Sequence, residues 1–427
     1  MSAGIIVMNK NAIAMAADSA VTIGDHTAIH NSVNKLFALS MFEPIGAIIY
    51  ANAQFMQIPM EIIIKEYKTE IGRRSFPTLQ EYVDDFIAFM ESHAALFHFK
   101  ANEEGFIYNI CDDLLQGLVN GYTKRVRDLV GKLNRPLTNE EDDMLKKEAL
   151  EETFLFIDAQ TRVNDGFADY VRKNYIGKIE TYIGNNVSWV MDKVKLAEKI
   201  CSLFDSGFTR VGYVGMAIAG YGRTEIFPHM VHIKLSGILD GRLRYENLEK
   251  IEISERENAA IIPLAQTDVM HTFIRGYNDV ILAEVVETTP DLLNYRMKSI
   301  PGEVLDVSQR EIVKKALENV PNDVVQLIRR ASNELFVKPI IDSVTSLPIE
   351  ELAMFAESMI NITSVRRRVA IDGNIGTVGG PIDVAIVTRG DGLIWLKRKH
   401  YFEAKKNPQY LYSRYGHSGV KVADDEE

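Results

Sequence analysis

Three residues near the start of the chain, Ser2, Asp18 and Lys35, are of types that together could carry out acyl transfer. A serine hydroxyl is a poor nucleophile at neutral pH and needs a base. A free α-amino group, with a reference pKa of about 7.7 to 8.0, can act as that base on its own side chain. The arrangement requires Ser2 to be the first residue, so removal of Met1 is expected, and a small second side chain favours that removal. Lys35 would supply positive charge that favours the alkoxide and keeps the amine neutral, while Asp18 would hold and orient the ammonium. The small-residue turn Ala51-Asn52-Ala53 offers backbone N–H groups to an oxyanion. Taken singly, each residue has an ordinary reading as a turn carboxylate, a surface lysine or a terminal serine. Their joint spacing, with Ala16-Ala17 leading into Asp18, singles them out.

Other constellations point to less. The chain has no GxxxxGK[ST] phosphate loop, no HExxH, no GxSxG and no CxxC. His26 with His30, and His229 with His232, are short of the three or four ligands a zinc site needs, so no metal or cofactor is expected. Cys111 sits beside Asp112 and Asp113, which would raise its pKa, and both it and Cys201 read as inert buried thiols. Gly373, Gly376, Gly379 and Gly380 form a loop that opens into a strand. That loop suits close backbone approach rather than phosphate binding at a helix N-terminus. The basic and aromatic stretch from Lys397 to Tyr415 reads as a solvated edge.

The elements that must position these residues follow from periodicity. Short apolar runs at Ile5 to Met8, Ile13 to Ala17, Leu36 to Leu39 and Gly46 to Tyr50 predict strands, the first two joined as a hairpin through Asn9-Lys10-Asn11. Helical spacing takes over to about residue 205. Capping boxes are expected at Thr78 with Glu81 and at Thr138 with Glu141. Strand patterning returns near Arg210, with turns at Gly220 to Gly222 and at Asp240-Gly241. A third helical block follows, with a capping box expected at Ser308 and Glu311 and a helix starting near Ser346-Leu347-Pro348. The last strands, Val384 to Thr388 and Leu393 to Lys397, join through Arg389-Gly390-Asp391-Gly392.

The 427 residues suffice for two to three domains, or for one core with large insertions. A net charge of -11 argues against a nucleic-acid-binding surface over the whole molecule, and no apolar run is long enough to predict a membrane span. Two cysteines make no disulfide framework and fit a reducing, cytoplasmic setting. The N-terminal apolar stretch lacks a preceding Lys or Arg and is broken by Asn9-Lys10-Asn11, so it does not read as a secretory signal.

With Asp18 after Ala16-Ala17, Lys35 in Lys35-Leu36-Phe37, and the small-residue turn at Ala51-Asn52-Ala53, the first 55 residues resemble proteasome β-type subunits of the N-terminal nucleophile hydrolase superfamily. The resemblance implies an α+β fold, a four-layer αββα sandwich enlarged by large helical insertions. It implies a catalytic set of Ser2, Asp18 and Lys35, with Asn52 and Ala53 in the oxyanion turn, where the family prefers glycine. It further implies supporting roles for Asp372, Thr377 and Gly379, and a substrate pocket with apolar preference lined by Val21, Val33 and Ile49. Thr22 would offer its backbone to an extended peptide. Weaker likeness continues through Val214 to Gly222, Ile349 to Ile362 and Gly379 to Leu396. On this reading residues 1–70 form the first part of the core, 71–205 a helical insertion whose start overlaps a core helix, and 206–277 core strands and a helix. Residues 278–345 form a second helical insertion, 346–415 a core helix and closing strands, and 416–427 an acidic tail. The implied activity is cleavage of peptide bonds in peptide or protein substrates by a homo-oligomer, with an AAA+ ATPase as possible partner and neither nucleic acid nor membrane involved. A small-molecule amidase and a catalytically silent scaffold or recognition subunit stay open as alternatives.

Overall fold

A computed structural model describes residues 3–23, 28–30, 33–161, 165–206, 212–301, 307–369 and 379–399. The chain begins with strands β1 (Ala3–Asn9), β2 (Ile13–Ala17), β3 (Val21–Ile23), β4 (Ala28–His30), β5 (Leu36–Ala38), β6 (Ile45–Ala51), β7 (Gln54–Phe55) and β8 (Ile58–Pro59). Six helices follow: α1 (Met60–Ile71), α2 (Leu79–Ser92), α3 (Phe99–Leu133), α4 (Asn139–Asp158), α5 (Phe167–Asn186) and α6 (Lys193–Leu203). Then come β9 (Val214–Gly220), β10 (His229–Leu239), β11 (Arg242–Glu252) and β12 (Ala259–Ala265). The second helical block holds α7 (Asp268–Arg275), α8 (Asp279–Lys298), α9 (Val307–Leu317), α10 (Val320–Ser332), a π-helical turn (Asn333–Val337), α11 (Lys338–Ser346) and α12 (Ile349–Arg368). Strands β13 (Asp383–Thr388) and β14 (Gly392–Lys397) close the described chain.

The two main sheets are antiparallel, in the orders β12-β1-β2-β13-β14 and β11-β10-β9-β6-β5. Every residue of β1 and β2 is buried, as a strand covered on both faces requires. Alternation then decides which side chain meets what. Ile5, Val7, Ala14 and Ala16 pack with Leu352, Ala356 and Ile360 of α12, while Ile6, Met8, Ile13 and Met15 pack with Ile48, Ala217 and Ala219 of the other sheet. In that second sheet Ala47, Ile49, Ile218 and Ile233 face the opposite way, into a core built by α1, α2, α3, α5 and α6. The sheets approach closely: a Cβ on Gly46 would lie 2.6 Å from Met15 Sδ.

Local chemistry sets the element ends. The β1–β2 hairpin turns at Asn9, whose Oδ1 accepts from Asn11 and Ala12 N–H while its Nδ2 donates to the Val344 and Leu347 carbonyls, pinning the end of α11. Asp240 and Gly241 both have positive φ, the conformation of a two-residue hairpin turn. The Thr138–Glu141 capping box is complete. At Thr78 only half of the expected box forms: the hydroxyl accepts the Glu81 N–H and donates to the Glu81 carboxylate, and Glu225, from 146 residues away, accepts the Leu79 N–H of the same helix end. Helix α9 begins at Val307, so Ser308 lies inside its first turn rather than before it. No helix among the described residues is long and apolar enough to cross a membrane.

The close contact of β9 with the segment leading into β6 is tested by Gly220→Ala. The new Cβ would meet the Pro44 carbonyl oxygen at 2.3 Å and Ile45 Cα at 2.9 Å, both backbone. A loss of about 1 to 3 kcal/mol is expected in urea unfolding, and an unchanged midpoint would refute the tight contact.

Candidate active site

The centre of the candidate site is a carboxylate. Asp18 follows the last residue of β2, is 1% exposed, and its side chain meets four donors. Oδ1 accepts from Lys35 Nζ at 2.6 Å and from the Ala3 N–H at 2.9 Å; Oδ2 accepts from the Ala20 and Gly379 N–H groups, each at 3.2 Å. The Asp18 N–H in turn donates to the Ala3 carbonyl. Ala3 is the residue directly after Ser2 in sequence, so the pair is anchored at the start of β1.

Lys35, 2% exposed, enters β5 and reaches Asp18 across the interior. Its ammonium also donates to the Ala20 carbonyl at 2.5 Å, which commits two of its three N–H bonds among the described residues. Burial pulls its pKa below the ordinary lysine value, against the opposing pull of Asp18, and nearby Lys399 lowers it further. A lysine under this balance gives up a proton more readily than a surface one.

Of the other residues singled out in the sequence, Gly379 is brought in through its N–H on Asp18, and its carbonyl accepts from Ser19 N–H at 3.2 Å. Asn52 and Ala53 lie directly after β6, where Ala51 has a φ of +67°, a left-handed conformation glycine would adopt at less cost. Asn52 Oδ1 accepts the Gln54 N–H and the Ala53 carbonyl accepts the Met60 N–H, tying the turn to the start of α1. Val33 is half-buried. Ile49 is 2% exposed and packs toward the helices. Val21 and Thr22 lie on β3, paired with His30 and Ile29 of β4. Ser2, Asp372 and Thr377 lie outside the described residues, as does His26.

Several groups that complete the surroundings were not singled out in the sequence. Ser19 Oγ donates to the Pro381 carbonyl at 2.6 Å. Asp383, opposite Ala17 in the sheet, accepts from the Lys399 N–H at 2.8 Å and pairs with the Lys399 ammonium. Tyr50, the residue before Ala51, hydrogen-bonds His232 Nε2 at 2.7 Å. Asp18-Ser19 next to Ala16-Ala17, and Asp383 shortly after Gly379-Gly380, were the only local signals for the first two; the Tyr50–His232 contact had none.

The histidine pair at 229 and 232 separates because three positions along a strand reverse the face. His229 Nδ1 lies 3.1 Å from Glu225, while His232 turns to Tyr50. Burial lowers the His232 pKa to about 4 and raises that of Tyr50, so both are neutral at pH 7. No group of three or more His, Cys, Asp or Glu among the described residues could hold a metal ion. Cys111 and Cys201 are buried and unpaired, each with its pKa pushed up to about 12, mainly by burial.

No protein-family model and no curated protein matches the chain. Among solved structures it is similar to a Gly-1 mutant of Anbu from Hyphomicrobium sp. strain MC1, with 11% identity, 99% of this chain and 100% of that one covered, and a TM-score of 0.28. It is also similar to Anbu, described as an ancestral beta-subunit, from Yersinia bercovieri, with 9% identity, coverage of 99% and 100%, and a TM-score of 0.28. A third match is a helical assembly of the Anbu complex from Pseudomonas aeruginosa, with 10% identity, coverage of 99% and 98%, and a TM-score of 0.28.

Two measurements test the electrostatics. Asp18→Ala or Lys35→Ala leaves one buried charge uncompensated and is expected to cost about 3 to 5 kcal/mol in urea unfolding. The double variant should cost clearly less than the sum of the two, and strict additivity would refute the coupling. For His232 the folded pKa of about 4 lies below the ordinary 6.5. The stability it contributes is therefore full above pH 6.5 and is lost as pH falls toward 4. His232→Gln is expected to flatten the fall in melting temperature over that window; an identical slope in both proteins would exclude this assignment.

Proposed function

We propose that the chain is a proteasome-like N-terminal serine hydrolase that cleaves peptide bonds through an acyl-enzyme on Ser2 after removal of Met1. The observation that carries this reading is the buried Asp18 carboxylate, which holds both the Lys35 ammonium and the N–H of the residue following Ser2. Three segments far apart in sequence, at Ala3, Lys35 and Gly379, converge on that one carboxylate. A buried ion pair is a costly way to build a core, which favours a working role over a structural one.

In this mechanism the Ser2 α-amine takes the Oγ proton, and Oγ attacks the substrate carbonyl. The third N–H of Lys35 stabilises the alkoxide, and backbone N–H groups of the Ala51-Asn52-Ala53 turn receive the oxyanion. The protonated α-amine then gives its proton to the leaving amine, and the ester remains on Ser2. Water attacks the ester, the α-amine takes the water proton, and Oγ leaves with that proton restored. Asp372 and Thr377 support the nucleophile in this reading, while Gly379 fixes the rear of Asp18.

The packing of each main sheet against helices on one face and against the other sheet on the second supports a four-layer αββα core. Segments 1–70, 206–277 and 346–415 then form that core, with 71–205 and 278–345 as helical insertions. Peptide or protein substrates, homo-oligomeric assembly and an AAA+ ATPase partner belong to the same reading.

The test is the intact mass of the purified protein before and after incubation with a peptide epoxyketone or β-lactone. Loss of Met1 and one covalent adduct are expected, with the adduct absent from Ser2→Ala and slowed at least a hundredfold in Lys35→Ala. Retained Met1, or no adduct after its removal, would refute the hydrolase and leave the silent scaffold.

A further inference from the structure

Beside the candidate site lies a cavity of about 90 Å³ between one face of α1 and the end of β14. It shares its walls with the strands that hold the buried pair: Asn34 immediately precedes Lys35, and Asp383 stands opposite Ala17, the neighbour of Asp18. Two carboxylates belong to this region, and both are already met. Glu61 pairs with Lys65 at 2.6 Å and accepts from Asn34 Nδ2 at 3.0 Å, while Asp383 is taken by Lys399.

Two cations are left over. Lys68, half-buried on α1, and Arg398, just past β14, both line the cavity, and neither makes an ion pair with any described residue. The exposed Arg398 guanidinium lies over the Trp395 ring, with Cζ 4.5 Å from the centroid, a contact that restricts the side chain at the mouth of the cavity. Burial and the nearby Arg398 charge both push the Lys68 pKa down, as expected of a half-buried ammonium held near another cation. In a chain of net charge -11, acidic side chains are plentiful, so two neighbouring cations with no ion-pair partner among the described residues, one half-buried and one exposed, are a local exception.

We infer that this cleft binds the carboxylate of an acidic substrate side chain, with Arg398 as the bidentate partner and Lys68 as the second positive charge. A carboxylate matches the guanidinium fork and relieves the repulsion between the two cations. The inference deepens the peptide-hydrolase reading and rests on it for the source of the carboxylate. The specificity it assigns is acidic, rather than the apolar preference implied by Val33 and Ile49.

The test uses the full chain carrying Ser2→Ala, so that peptide is bound and not consumed, with acetyl-Ala-Ala-Glu-amide and its Gln isostere as probes. Titration calorimetry at low salt is expected to show the Glu peptide binding roughly tenfold more tightly, with the preference shrinking as salt is added. Lys68→Gln and Arg398→Gln should each weaken the preference, and together they should abolish it. Lys68→Gln breaks no ion pair among the described residues, so its melting temperature should hold or rise, whereas Arg398→Gln also gives up the contact with Trp395 and is read by the peptide preference alone. A fall in Lys68→Gln would mean that this cation serves the fold, and would overturn the inference. Equal affinity for the two peptides, or a preference that survives the double variant, would also overturn it. Binding of inorganic phosphate that depends on Lys68 and Arg398, without any Glu preference, would reassign the cleft to free small anions and reject the substrate role. If the Ser2 adduct fails while the Glu preference stands, the hydrolase reading falls and the carboxylate site remains; the converse result leaves the hydrolase and removes the site.

Discussion

Taking a carboxylate and an ammonium out of water costs several kcal/mol for each ion, and the cost is offset only when the surroundings supply hydrogen bonds along with the opposite charge. Asp18 meets that condition with four donors drawn from four places in the chain. Each donor imposes a geometry. The Ala3 N–H requires β1 to start beside the end of β2, which the register pairing Gly4 with Ala17 provides. The Lys35 ammonium requires β5 to lie at the edge of the second sheet, with its entry facing the first. The Gly379 N–H requires the chain entering β13 to pass behind the carboxylate, consistent with Asp383 opposite Ala17. The relative placement of the two sheets at this end is therefore bound to one charge interaction.

The sequence revealed most where a single stretch of chain carried the whole signal. The β1–β2 hairpin was legible because apolar runs flank Asn9-Lys10-Asn11, and the α4 cap because Thr138 and Glu141 are three residues apart. Short apolar runs indicated strands at β1 and β2, but both faces are apolar, so the pattern could not say which face meets a helix and which a sheet. Asp18 and Lys35 were identifiable as a pair because they lie close in sequence within a recognisable pattern. Groups assembled from distant segments carried no local mark. Glu225 capping Leu79, Tyr50 meeting His232, and Lys68 lining a cavity with Arg398 each join residues more than 140 positions apart. At the half-formed cap at Thr78, one of these distant partners meets a different donor of the same helix end, the Leu79 N–H.

The turn after β6 shows the same competition between local preference and global demand. Alanine in the left-handed region is disfavoured by roughly 1 kcal/mol or more relative to its ordinary conformations. Ala51 is nevertheless held there, because it is clamped on both sides. Before it, Tyr50 fills the space left by Gly215, where a Cβ would come within 2.1 Å of the Tyr50 ring, and its hydroxyl is bonded to His232. After it, Asn52 closes an Asx turn on Gln54, and Ala53 accepts from the first residue of α1. The helix that supplies Lys68 to the neighbouring cleft is thus tied to the turn that follows β6. A change that moved α1 would shift both the turn and the cationic wall, whereas a change at Arg398 would alter the wall alone. The turn's geometry and the charge of the adjoining cleft therefore share one support but can be altered independently from the β14 side.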